Sequence, residues 1–376
     1  MAPYVMVGRE AVLNQRADGS CVFLDEVGKC RIHTRFGEAA KPFACRIFPF
    51  SARAVGDGWR VSFRFDCPSA TAARGFRLSR HGPWLTELLS GLERRPPPSA
   101  DLAEIQLGVR ATAAELEALI AGVVKWVGDR EIPLYFRLIG AARLTARLRE
   151  WRLAKIRGKR FTELLGLNFT FLPMEATEVP AAPTVRQRRM LRHLVFAHAE
   201  HVTLADLRAG FGRRLGKRWQ QLRAARRFHA GKGPVPAIPG VTGRASFEDV
   251  ERVDASPEEG ERIEDLFTRY LLARLHGRSA FGAGYYGWTV IDGLGALWMS
   301  VAAAGWLARC VAAADGRSTL SFDDVSLALG IADRAAGRVP ALGTVAERIR
   351  ILYLSRDDGM AALLRRYAPV EERPCP

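Results

Sequence analysis

Between Asp292 and Arg309 the chain runs from Gly293 to Ala308 without a charged side chain, in an apolar setting. A helix of such residues is apolar on all sides, so either the rest of the chain covers it or a membrane does. A membrane span needs about 20 consecutive apolar residues. This run is shorter and contains Gly293, Gly295 and Gly305. The expectation is a buried core helix over about Trp288 to Ala313 and no membrane span.

The sequence supplies helices to cover it. Pro257 to Leu275 reads as one helix and the natural core partner. Ser321-Phe-Asp-Asp324 has capping-box spacing, with a carboxylate where it suits the helix dipole. Leu134, Leu138, Ala141, Leu144, Leu148 and Trp151 recur at three- and four-residue steps, an amphipathic helix with a basic opposite face. Asp101 to Val127 has helical spacing, Phe169 to Pro183 is looser, and Val185 to His229 is again helical and basic. Near the N-terminus the pattern changes. Trp59 to Phe65 alternates with the period of a strand, Gly56-Asp57-Gly58 is a turn signal, and Phe48 to Val55 can return. The fold class expected is mainly α, with a small cysteine-rich N-terminal domain carrying a β-hairpin, followed by a large helical region. Arg95 to Ser99, with its three prolines, reads as a stiff linker, and the Gly- and Pro-rich run Gly231 to Gly243 as a domain boundary. The expected division is 1–72 for the cysteine domain, 73–232 for a basic helical domain and 246–376 for a C-terminal helical domain.

With hydrophobic residues at 48%, the chain is globular rather than disordered. Met1 to Arg16 lacks the basic start, apolar core and cleavage site of a secretory signal, and the default compartment is the cytoplasm. The net charge of +16 is localised: segments 137–160 and 186–229 together hold +18. Such a field could steer an acidic partner. No helix-turn-helix, zinc-finger or RNA-binding signature accompanies it, so nucleic acid is not the expected partner, and solvated helix faces are the simpler reading.

Four of the six cysteines fall in the first 67 residues, as Cys21-x8-Cys30-x14-Cys45-x21-Cys67. In a reducing compartment grouped cysteines suggest metal or redox chemistry rather than disulfides. Counting from the hairpin turn puts Cys45 and Cys67 near its open end, one strand spacing apart. Cys310 reads as packing and Cys375 as tail. The spacing matches neither paired C-x2-C knuckles nor ferredoxin runs, so it names no metal. Arg31, Arg35, Lys41 and Arg46 would lower the thiol pKa values and favour thiolates. His33 is a fifth candidate ligand, though a histidine in a basic loop is more often solvated.

The residues around these cysteines carry a resemblance. Asp18-Gly-Ser-Cys-Val-Phe-Leu-Asp25, Gly28-Lys-Cys-Arg-Ile-His33 and Lys41-Pro-Phe-Ala-Cys-Arg-Ile-Phe-Pro49 are similar to the family of cysteine-cluster proteins named for zinc or iron chelation. Asp66-Cys-Pro-Ser69 is similar to a later cysteine in the branch that contains flagellin lysine N-methylase. The resemblance is specific over about residues 18–69. It implies Cys21, Cys30, Cys45 and Cys67 as ligands of a 4Fe-4S cluster or a zinc ion, with Arg46 and Pro49 as part of the motif. Family members also carry an upstream C-x-x-C-x-x-C-C group with no counterpart here, which leaves either a complete four-thiolate cage or half of a larger set. Two functions follow: methylation of lysines on a protein substrate such as flagellin, with S-adenosylmethionine as donor, or a non-catalytic protein whose metal is structural.

No catalytic constellation is legible. Gly282-Ala-Gly-Tyr-Tyr-Gly287 matches a dinucleotide-loop pattern but follows no strand, and reads as a flexible connector. His193, His198 and His201 are grouped on a basic helix and read as packing or surface residues rather than ligands.

Overall fold

The computed structural model describes residues 2–8, 10–16, 19–55, 58–91, 103–201 and 203–370. The chain is mainly helical, with three two-stranded antiparallel sheets among the described residues, and its N-terminal hairpins precede the large helical region. It divides into two compact units, 1–48 with 201–226, and 49–200 with 227–376. Neither unit is a single stretch of chain.

The second unit is built around the helix Val290–Ala314, whose side chains are buried without a break from Val290 to Ala312. Thr289 caps it, its hydroxyl accepting from the Asp292 amide at 3.2 Å. Around it pack the helices Phe322–Ala335, Gly359–Tyr367, Val185–Ala199, Leu134–Glu150, Phe247–Arg252 and Val345–Leu354. The expected core helix is therefore present, one residue longer at its end than the sequence pattern suggested. Its small residues set the approach distances. A Cβ on Gly305 would collide with the carbonyl of Tyr367, and one on Gly293 with that of Ala280. Several polar atoms in this core find partners: Trp298 Nε1 donates to Thr145 Oγ1 at 2.8 Å, and Arg309 Nη1 to the Tyr367 carbonyl at 2.8 Å, whereas the buried Trp306 Nε1 has none. The expected helix from Pro257 runs from Gly260 to His276, and the Ser321–Asp324 capping box is formed.

The hairpin read between Phe48 and Phe65 is present as Phe50–Val55 paired with Gly58–Phe63, Phe50 opposite Phe63. Its turn residues 56 and 57 lie outside the described residues, as do the 96–98 prolines and Cys375. Elsewhere the structure differs from the pattern. Asp101 lies outside the described residues, and the stretch that follows does not enter its helix at once. Glu104–Gln106 pairs with Val109–Arg110, and the helix starts at Ala113, where Thr112 and Glu115 cap each other reciprocally. Phe169 to Thr177 is helical, part of Gly158–Thr177, despite Pro173. Phe161, Leu165, Asn168, Leu172 and Ala176 form one buried face across the proline, and that packing outweighs the lost amide. The Gly- and Pro-rich run 231–243 is no loose boundary, since Gly243, at φ +86°, lies tight against the Ala314 carbonyl. The connector at 282–287 is likewise closed, with the Gly282 amide donating to the Trp288 carbonyl at 2.8 Å.

Arg137, Arg143, Arg147 and Arg149 do not form a solvated face, while Arg152 and Arg160 are exposed. Arg137 is buried, donating to Glu264 and to the Val127 carbonyl, each at 2.5 Å. Arg143 pairs with Asp358 at 2.6 Å, Arg157 with Glu115 at 2.7 Å, and Arg147 with Glu175. Asp292 is held between Arg149 at 2.5 Å and Arg348 at 2.6 Å. Much of the positive charge that the sequence localises here is neutralised inside the second unit.

The first unit is made differently. Tyr4–Val7 and Glu10–Leu13 form a hairpin, Tyr4 opposite Leu13. Two short helices, Arg31–Phe36 and Phe43–Ile47, have no buried residue. From the second stretch of chain come the helix Leu204–Leu207 and the first part of Phe211–Ala230. Among the described residues of this unit the buried apolar side chains are Val22, Leu204 and Ala209.

Candidate metal centre

Cys21 and Cys30 sit at the two ends of one tight loop. Isolated antiparallel bridges pair Gln15 with Cys21 and Leu24 with Cys30. Between them Asp25 organises the turn, its Oδ1 accepting from the amides of Val27 at 3.0 Å and Lys29 at 2.7 Å. Gly28 takes the left-handed conformation at φ +78° that closes it. Two arginines hold the loop's carbonyls from outside: Arg31 Nη2 donates to Val22 at 2.5 Å, and Arg16 to Leu24. An Asp followed three residues later by Gly is a turn signal that the sequence carries at 25–28. Cys30 then becomes the N-cap residue of Arg31–Phe36. Cys45 lies on the Phe43–Ile47 helix, its amide bonded to the Pro42 carbonyl at 2.9 Å.

All three are free thiols and half-buried. Cys21 and Cys30 both lie within electrostatic reach of Cys45. Burial pushes the Cys45 thiol up, Cys21 and Cys30 push the same way, and Lys41 pulls it down. The expectation that surrounding basic residues lower the thiol pKa therefore does not hold at Cys45. Of the four basic residues named, Lys41 acts on it, and one lysine does not outweigh burial and two neighbouring sulfurs.

Cys67 belongs to the second unit. It is buried at the N-cap of the Pro68–Thr71 turn, after Asp66, which is paired with Arg64 at 2.5 Å. His33 is exposed on its helix. His198 is a core residue, Nδ1 against the Ala332 carbonyl at 3.2 Å, with burial lowering its pKa to about 4. Its neighbour His193 instead faces His229 at 3.1 Å, a pair 36 residues apart that no local pattern could show. Burial, then Arg350 and His229, lowers the His193 pKa to about 4, an environment hostile to a cation. Cys310 is a packed core thiol, pushed up to about 12 by burial.

Whether these residues suit a metal is a question of donors and of spacing. Thiols are soft ligands of the kind zinc and iron–sulfur clusters take, and here two come from one loop and one from a short helix. Next to Cys45 in the chain, Arg46 has its Nε shielded from solvent with no hydrogen-bond acceptor. A thiolate-ligated centre is anionic and would supply the missing negative partner. Spacing is looser: among the described residues no three His, Cys, Asp or Glu side chains are gathered tightly enough to hold an ion as they stand. The donor chemistry fits, and a metal would have to draw these turns together. No protein-family model, curated protein or solved structure matches the chain.

Proposed function

We propose that this chain is a cysteine-cluster metal-binding protein in which Cys21, Cys30 and Cys45 are thiolate ligands of a zinc ion or an iron–sulfur cluster. One observation carries the reading: two free cysteines at the ends of one loop lie within electrostatic reach of a third, Cys45, on a separate short helix, in a unit whose described residues bury few apolar side chains. Small units that bury little usually depend on a disulfide, a metal or a partner. Cys67 is the fourth ligand on the resemblance alone. The Nε of Arg46, the chain neighbour of Cys45, lacks an acceptor and would suit an anionic centre.

Anaerobic purification with iron, sulfide and zinc analysis tests this directly. Near-stoichiometric iron and sulfide with a brown chromophore, or one zinc in a colourless protein, is the expected result. Cys21→Ser, Cys30→Ser and Cys45→Ser should each abolish retention of the metal, and Cys67→Ser decides whether the fourth thiolate comes from the second unit. Metal-free protein that cannot be reconstituted would remove the proposal. Lysine methylation, the activity the resemblance implies, is a separate matter. Saturable binding of S-adenosylmethionine by the metal-loaded protein would support it, and no binding with the metal intact would end it.

A further inference from the structure

The helix Phe211–Ala230 has its amphipathicity inside out. Its inward side over 211–226 is lined by Lys217, Gln221, Ala224 and Ala225, all at least partly covered. Phe211, Leu215, Trp219 and Leu222 recur at steps of four, four and three, which puts them on one stripe of a helix. That stripe faces solvent: Phe211 is 84% exposed, Trp219 56%, Leu215 47% and Leu222 43%. Four large apolar side chains together in water are not the scatter of single exposed residues that any surface shows. Charge frames them. Arg218 runs along one flank and Arg223 along the other, and Arg226 continues the stripe. Arg214 turns toward the covered side, its Nη2 donating to the Leu207 carbonyl at 2.9 Å, and the helix contains no acidic residue. Lys217, on the covered side, is instead paired with Asp206.

We propose that this helix is a membrane-surface anchor, lying along a bilayer rich in anionic lipids with its Phe211, Leu215, Trp219 and Leu222 stripe in the headgroup–acyl boundary. Two features select the occupant. An apolar stripe bearing Trp and Phe, flanked by arginines with long aliphatic stems, matches the chemical gradient of a lipid interface, apolar below and anionic above. A nucleic acid would be gripped by the arginines and leave the stripe in water. This is attachment to one leaflet, not a span, and it makes no use of the cysteines. It therefore stands or falls apart from the metal.

Sedimentation of the full chain with large unilamellar vesicles tests it. Vesicles of phosphatidylcholine with about a third phosphatidylglycerol should carry the protein down at low salt, and pure phosphatidylcholine vesicles should carry at least about tenfold less. The double variant Phe211→Ser/Trp219→Ser, at exposed sites whose loss leaves the circular dichroism unchanged, should lose most of the partitioning. Arg218→Gln and Arg223→Gln should each weaken it on the order of fivefold. Failure to sediment with anionic vesicles overturns the proposal. So does equal binding by the double variant, as does tight binding to duplex DNA that the double variant retains in full while vesicles are ignored.

Discussion

The two units of this protein hold themselves together by different means. In the second, the Val290–Ala314 helix is covered throughout and nearly every neighbouring helix contributes apolar side chains to one continuous core. In the first, backbone bridges, an aspartate turn and two arginines on carbonyls shape a loop whose flanking helices bury nothing. Apolar burial at about 25 cal/mol per Å² stabilises the one. The other has three half-buried thiols where a core would be. The contrast says where a ligand matters: a packed core tolerates the loss of a bound ion, whereas a loop with little to bury does not.

The sharpest way to break that contrast is to attack the second unit where its core is not apolar. Arg137 is buried against Glu264, Thr268 Oγ1 and the Val127 carbonyl. Burial lowers the Arg137 pKa and the Glu264 carboxylate opposes that shift. Replacing Glu264 by Leu strands the guanidinium, and about 3–5 kcal/mol of global stability should go, measured by denaturant unfolding. A loss under 1 kcal/mol would mean that the core is loose enough to hydrate a charge, and the contrast would fail.

Acid acts on the same unit at a slightly smaller scale. His198 is fully enclosed, with a native pKa near 4 against an unfolded value near 6.5. Between those values the unfolded state binds the extra proton, so stability is intact above pH 6.5 and falls as the pH drops toward 4. The loss is on the order of 3 kcal/mol across that window. His198→Leu, similar in bulk, should reduce the dependence there, with His193, lowered in the same direction, carrying part of what remains. An unchanged pH profile in that variant would assign the acid sensitivity to another group.

Metal loading should sharpen the comparison from the other side. With zinc or a reconstituted cluster held at about a hundredfold excess over its dissociation constant, the loaded state gains about 2.7 kcal/mol. The gain belongs to the first unit. Amides of residues 19–34 should exchange about a hundredfold more slowly in loaded than in stripped protein, while those of 290–312 stay as they were. Equal protection of 19–34 in both states would detach the loop from any metal.

How far these features could be read from sequence follows the same division. Position along a helix face is local information, so the Val290–Ala314 core, the Leu134–Glu150 repeat and the Ser321 cap were legible. The Phe50–Phe63 hairpin was legible for the same reason, through alternation around a turn. What pairs with what over long separations was not. Nothing near Arg137, Arg143 or Arg149 in the chain announces Glu264, Asp358 or Asp292, so a row of internal ion pairs read as a solvated face. Pro173 and the 104–110 stretch misled through propensity, which packing overrode in one case and strand pairing ahead of the Thr112 capping box in the other. Of the site, the candidate cysteines were legible as residues. The nearness of Cys21 and Cys30 to Cys45 rests on turns that place three short segments together, and the direction of the Cys45 shift depends on burial that no pattern reveals.

The smallest expected effect uses a device the two units share. Thr203 and Asp206 form a reciprocal capping box in the first unit, as Ser321 and Asp324 do in the second. In each, the hydroxyl accepts from the amide three residues on, at 3.1 Å for Asp206 and 3.3 Å for Asp324. Thr203→Ala and Ser321→Ala should therefore each cost about 1 kcal/mol. The readout should differ even so. The Phe322–Ala335 helix packs on the central helix, so its cap should register in the global unfolding midpoint. The Leu204–Leu207 turn buries only Leu204, so its cap should register as faster local amide exchange at 204–208 with the midpoint unmoved. Should Thr203→Ala shift the midpoint as much as Ser321→Ala does, the first unit is part of the cooperative core after all.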